Sequence, residues 1–167
     1  SHTPELMKFY EYLHANPELS FQEFKTASTL ASELKKLGFE VKEKIGRTGV
    51  VGVFRNGKGP TVLVRTDMDG LPVLENTKLP YASKAVARND KGLDTGVMHA
   101  CGHDLHMTNW VGTARILLSI KSKWSGTLVF IAQPAEEIGA GAKDAIASGI
   151  FKQFKIDFTF AYHNFAG

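Results

Sequence analysis

Cysteine is almost missing from this sequence: Cys101 is the only one among 167 residues. A single thiol closes no intrachain disulfide, so the fold must stand on its core and the thiol is left available for chemistry. A reducing compartment, the cytoplasm, is the expected location. Long apolar runs are missing too. None approaches the ~20 residues that a membrane-spanning helix needs. The opening "SHTPELMKFY" lacks the apolar centre of a secretory signal. No charge of one sign dominates. The net charge is +3, and Glu33, Glu40 and Glu43 interrupt the lysines of "ELKKLGFEVKEK". That scatter is not the clustered basic patch of a nucleic-acid binder. There is no internal repeat and no low-complexity tract. One near-match to a phosphate-binding loop fails. "GVFRNGK", Gly52 to Lys58, is followed by Gly59 where a magnesium-holding Ser or Thr should stand, and it joins two strand-like runs rather than a strand and a helix.

What is present is a globular composition, 43% hydrophobic and 22% charged, in a chain long enough for one domain with a real core. "TPELMKFYEYLHANPE" carries Leu6, Phe9, Tyr10 and Leu13 at helical spacing, with Thr3 as N-cap and Pro4 at the first helical position. Ser20 and Glu23 read as a capping box for a second helix. Its apolar stripe is Phe24, Ala27, Leu30, Ala31, Leu34 and Leu37, and Gly38 ends it. "FEVKEKI" alternates, while "GVVGVFRN" and "GPTVLVRTD" are nearly continuous apolar runs of the kind found in buried strands. "NGKG" between the last two is a hairpin signal. Residues 68–98 read as irregular. A helix follows, with Leu105, Trp110, Ala114, Leu117 and Leu118 inward. Then come the strand "SGTLVFIAQ", a short helix in "GAGAKDAIASG" and a final strand in "IDFTFAYHN". The alternation of strands and helices predicts a layered α/β fold with some parallel pairing.

Polar residues gather where the apolar strands run out, which is where open α/β sheets place their sites. "HACGHDLH" packs His99, His103 and His106 around Cys101. Cys101 and His103 are two apart, so in extended chain they point the same way, and Gly102 allows a sharp turn. Thiolate with imidazole suits first-row divalent ions, although a packed hydrogen-bonded pair is the bland alternative. His99 and His106 orient such ligands, face substrate, or simply pack. In "QPAEE", Glu136 and Glu137 diverge, so one can hold a metal while the other faces the attacking water, a division that metal-assisted hydrolysis requires. Asp67 and Asp69 could ligate, orient a ligand histidine or cap a turn. His163 is either a ligand or a core histidine.

Four stretches together, "RTDMDGLPVLE", "GVMHACGHDLHM", "GTLVFIAQPAEEIGAGAKDAI" and the late "HN", resemble the metallopeptidase family that includes aminoacylase and carboxypeptidase G. Within it the resemblance is to the amidohydrolase branch of N-acyl-amino-acid, hippurate and auxin-conjugate hydrolases. It runs from Leu6 to Gly167. The resemblance implies a zinc-peptidase-like α/β/α domain with a mixed sheet, of which residues 1–167 are the N-terminal segment. A lid or dimerisation domain and a final catalytic segment would lie elsewhere. It implies Cys101, His103, Glu137 and His163 as metal ligands, with Cys101 bridging two ions. Glu136 becomes the general base, and Asp69 acts from behind the ligands. Asp67 stands where related peptidases carry histidine. The cofactors implied are two divalent ions per full-length subunit, zinc or manganese, with cobalt or nickel also compatible. The implied partners are a small N-acyl amino acid and a second subunit, not nucleic acid or membrane. Two rivals remain open: a cysteine nucleophile, Cys101 with His163 as base and Asn164 as orienter, and a non-catalytic metal-stabilised domain.

Overall fold

The computed structural model describes residues 3–164. Helical periodicity yields α1 (Thr3–Ala15) and α2 (Phe24–Lys36), then β1 (Glu40–Ile45), β2 (Gly49–Asn56) and β3 (Thr61–Asp67). Next come β4 (Val86–Arg88), β5 (Asp94–Gly96), α3 (His103–Ser119), β6 (Gly126–Gln133), α4 (Gly141–Ala147) and β7 (Phe158–Ala161). β1, β2, β6, β3 and β7, in that order, form one mixed sheet. β6 runs parallel to β3 and antiparallel to β2, and β3 runs parallel to β7.

Alternation along each strand sends side chains to two faces. On one, Val50, Leu128, Phe130 and Ala132 pack with Leu13 of α1, Leu30 and Leu34 of α2, and Met107, Trp110 and Val111 of α3. On the other, Val51, Val53, Leu63, Val129 and Ile131 meet Ala145 of α4 and Ile150. The result is helix, sheet, helix, the layered architecture expected. Gly52 is required by close packing: a Cβ there would stand 2.4 Å from Leu34 Cδ1. Among the described residues no helix is long and apolar enough to cross a membrane.

Several local expectations give way to long-range ones. β2 and β3 are not a hairpin, because β6 inserts between them and pairs with both. Ser20 and Glu23 do not form a capping box. α2 has no side-chain cap, Ser20 Oγ donates to Asp69 (2.6 Å), and Glu23 is fully buried. Thr3 lies inside α1 rather than before it. Phe24 and Leu105 face outward, at 68% and 40% exposure. The segment read as irregular contains the small β4–β5 hairpin.

Candidate active site

β6, β3 and β7 lie side by side in that order and run parallel, so their carboxyl ends open on one side of the sheet. Asp67 is the last residue of β3, Glu136 and Glu137 lie just beyond β6, and His163 lies just beyond β7. α3 begins on the same side with His103. Gly102 before it has φ +78°, a left-handed conformation that glycine adopts without strain, and a Cβ there would press to 2.7 Å from Asn164 Nδ2. Parallel register and one glycine therefore bring four separate stretches of chain to one place.

His103 sits at its centre, fully buried. Its Nδ1 donates to the Asp69 carbonyl at 2.8 Å. A carbonyl can only accept, so the proton is held on Nδ1 and the Nε2 lone pair is turned inward. Around Nε2 stand Asp67 Oδ2 at 3.6 Å, Glu136 Oε2 at 3.6 Å and Glu137 Oε1 at 3.7 Å. These separations are too long for hydrogen bonds. His103 Nε2 and Glu137 Oε1 are buried and have no hydrogen-bond partner among the described residues. Two donors each about 2.1 Å from a tetrahedral ion stand about 3.4 Å apart. The donor set thus fits a divalent cation: Cys101, His103 and Glu137 form one group whose ligand atoms all lie within 4.8 Å, and Asp67, His103, His106 and His163 form another.

The electrostatics point the same way. Burial alone would lower the His103 pKa, but the Asp69 carboxylate, 3.4 Å from Nδ1, and the charges of Asp67 and Glu137 raise it. The Glu137 pKa is raised by burial, and Asp69 and Glu136 add to the effect against the pull of His103. Burial pushes the Cys101 thiol up, and Glu137 and Glu136 push it further, to about 11. Crowded carboxylates favour a cation among them.

Asp69 does not face Nε2. Its two oxygens accept the backbone N–H groups of Glu136 and Glu137, each at 3.1 Å, so it fixes the turn that carries both glutamates. Glu23 braces the same turn by accepting the Ala135 N–H at 2.8 Å and the Thr48 hydroxyl at 2.6 Å. Ala135 itself has φ +49°, a strained value for a residue with a Cβ. Neither Ser20 nor Glu23 is recognisable in sequence as support for a site 112 residues away from Glu23.

Asp67 is fully buried, and both of its oxygens accept hydrogen bonds. Oδ1 accepts His106 Nδ1 at 2.7 Å and Oδ2 accepts Arg65 Nη1 at 2.7 Å. Burial would raise its pKa; His106, His103 and Arg65 overcome that and bring it to about 2. His106 Nε2 accepts the Asn164 N–H at 3.1 Å, which docks the end of β7 against α3. Its spacing of three from His103 on one helix face was the available signal. His163 Nδ1 donates to the Asn164 carbonyl at 2.8 Å, and Nε2 lies 3.8 Å from Cys101 Sγ. His99 is buried with neither ring nitrogen partnered among the described residues, and burial drives its pKa down to about 4.

A mixed layered α/β domain with clustered Cys, His and Glu donors beyond its parallel strands defines a metallopeptidase-type site. Residues 63–167, more than half the chain, match Peptidase family M20/M25/M40, and the chain belongs to that family. It is 44% identical over 161 residues to hippurate hydrolase of Campylobacter jejuni, covering 96% of this chain and 39% of that protein. It is 44% identical over 154 residues to N-acetyldiaminopimelate deacetylase of Oceanobacillus iheyensis, covering 90% of this chain and 38% of that one. In structure it resembles the Bacillus subtilis YXEP protein, a dinuclear metal-binding peptidase of the M20 family. That match has a TM-score of 0.84 at 37% identity, covering 96% of this chain and 42% of that one. The chain thus spans about two fifths of the length of these relatives.

Proposed function

We propose that the chain is the N-terminal segment of the catalytic domain of a metal-dependent amidohydrolase that cleaves N-acyl amino acids or similar small peptide-like substrates. The observation that carries this reading is the convergence of Cys101, Glu136, Glu137 and His163 on His103, whose Nε2 is buried and has no hydrogen-bond partner among the described residues. Relatives named for hydrolysing hippurate and for deacetylating N-acetyldiaminopimelate support the substrate class. In this reading Cys101, His103, Glu137 and His163 would hold two divalent ions per full-length subunit. Zinc or manganese suits the mixed S, N and O donors, and cobalt or nickel is compatible. When bound, the ions supply Lewis acidity to the substrate carbonyl and to the attacking water. Glu136 takes the proton from that water at its carboxylate and passes it to the leaving amine nitrogen. Asp69 keeps Glu136 and Glu137 in place and orients His103. The full-length protein is read as a cytoplasmic homodimer whose remaining polypeptide, including a lid domain, packs against the β7 side of the sheet.

The cysteine-nucleophile rival has its Cys101–His163 pair in reach, but a thiol at about 11 is the opposite of the depressed value of an activated thiolate. A purely structural metal domain leaves the Glu136 carboxylate without a task. The test is elemental analysis of the full-length protein, with acyl-amino-acid hydrolysis assayed before and after chelation and in Glu136→Gln. The variant is expected to keep its metal and lose ~10² to 10⁴-fold in turnover. Near-wild-type turnover would remove Glu136 as the base. A metal-free protein fully active after chelation would overturn the reading as a whole.

A further inference from the structure

Behind the candidate site, and sharing no side chain with it, lies a second buried polar cluster. His14, in the last turn of α1, is 6% exposed. Its Nδ1 stands 2.6 Å from Asp104 Oδ2 and its Nε2 3.0 Å from Glu75 Oε1. With a carboxylate oxygen at each ring nitrogen, both nitrogens donate only when the ring is an imidazolium. Burial alone would lower the His14 pKa, but the hydrogen bonds to Glu75 and Asp104 raise it. Tyr81 packs edge-on against the same ring at 5.3 Å between centroids.

Each carboxylate belongs to a part of the chain that reaches the candidate metal ligands. Asp104 directly follows His103, and its Oδ1 accepts the Leu105 N–H at 2.8 Å. Glu75 is the one residue between Pro72 and Pro80 that is not exposed, and its side chain is fully covered. Its second oxygen accepts the Ser83 N–H at 2.5 Å, and Ser83 Oγ donates to the Val97 carbonyl at 2.7 Å. Leu71 and Met98 exchange backbone hydrogen bonds, which draws together the two ends of the segment running from Asp69 to His99. On one side hydrogen bonds therefore lead from His14 through Glu75 and Ser83 to Val97, four residues before Cys101, and on the other side to Asp104, the chain neighbour of His103.

We propose that His14 is a positioning residue, an ionic latch that joins Glu75 to Asp104 and so holds the segment 71–98 and the Cys101–His103 loop in the arrangement that binds metal. This rests on the metal reading above for its functional consequence, although the latch itself is separable from it. A surface ion pair would contribute little, but breaking a buried one leaves an uncompensated charge.

The experiment uses the full-length protein, with His14→Ala and with Glu75→Gln in case the first does not fold. Zinc or manganese affinity is read by competition with a chelator of known affinity, well below the melting temperature of each variant. Hydrogen exchange of residues 71–83 and 99–106 is read in parallel on the metal-free proteins. Both variants are expected to bind the ion at least ~10-fold more weakly, the lower end of what outer partners of ligands contribute, and to exchange faster in both stretches. A residue that only stabilises the fold would lower the melting temperature and leave ion affinity unchanged, and that result overturns the proposal. Unchanged exchange overturns it as well. If the wild type takes up no ion, the metal reading fails, and faster exchange in the variants decides whether the latch stands.

Discussion

β6 and β7 are both apolar strands in the same sheet, one "GTLVFIAQ" and the other "FTFA", and their fates differ completely. Val129, Phe130 and Ala132 of β6 are 0% exposed, while Phe158 and Phe160 of β7 are 56% and 61% exposed. β6 lies between β2 and β3 and is covered on both faces by helices. Among the described residues β7 pairs only with β3, at the edge. Parallel strands at rest in a protein are normally covered on both faces. An apolar run therefore records the cover a strand is built for, and β7 carries that character although all four of its residues are exposed. Its neighbours in function are nonetheless in place: the turn beyond it delivers His163 to Cys101.

The contrast can be broken by mutation. Phe130→Ala removes a ring that packs against Phe39 and Trp110, and should lower stability by ~3 to 5 kcal/mol in denaturant unfolding. A loss near zero would mean that the sheet centre is not the core. β3 lies between the extremes, and its Asp67 gives a test by pH. The folded-state pKa of about 2 lies below the ordinary 3.8. The stabilisation is therefore present above 3.8 and lost as pH falls towards 2, amounting to about 2 kcal/mol in the metal-free protein. Unfolding free energies between pH 5 and pH 2 should fall less steeply in Asp67→Asn, and parallel slopes would contradict it. Phe160→Ser should be the mildest, within ~0.5 kcal/mol in the 167-residue chain. In the full-length protein the same substitution should cost more, because the proposed cover is then present. Equal costs in the two would count against packing on β7.

Most elements were legible because helices and strands announce themselves through local periods. The residue types of the site were legible too, since a thiol, imidazoles and paired carboxylates at strand ends have few inert explanations together. What escaped was non-local. The "NGKG" turn is real as a turn, but whether its strands pair depends on β6, which arrives some seventy residues later and wins both edges. Ser20 and Glu23 have the spacing of a helix cap, yet a buried amide at Ala135 and the carboxylate of Asp69 compete for their side chains and prevail. Leu105 kept its helical phase only on paper. The first turn of α3 is oriented by His103, Asp104 and His106, all buried, and that leaves Leu105 outside.

The proposed ligands come from places far apart along the chain, with Cys101 before α3, Glu137 beyond β6 and His163 beyond β7. In the proposed reading, an ion held by them would be a cross-link. It would close several long loops at once, as a disulfide does, but reversibly and in proportion to the free ion concentration. Folding and loading of such a domain would then be one equilibrium seen from two ends: the melting temperature would become a metal gauge, and a chelator a denaturant.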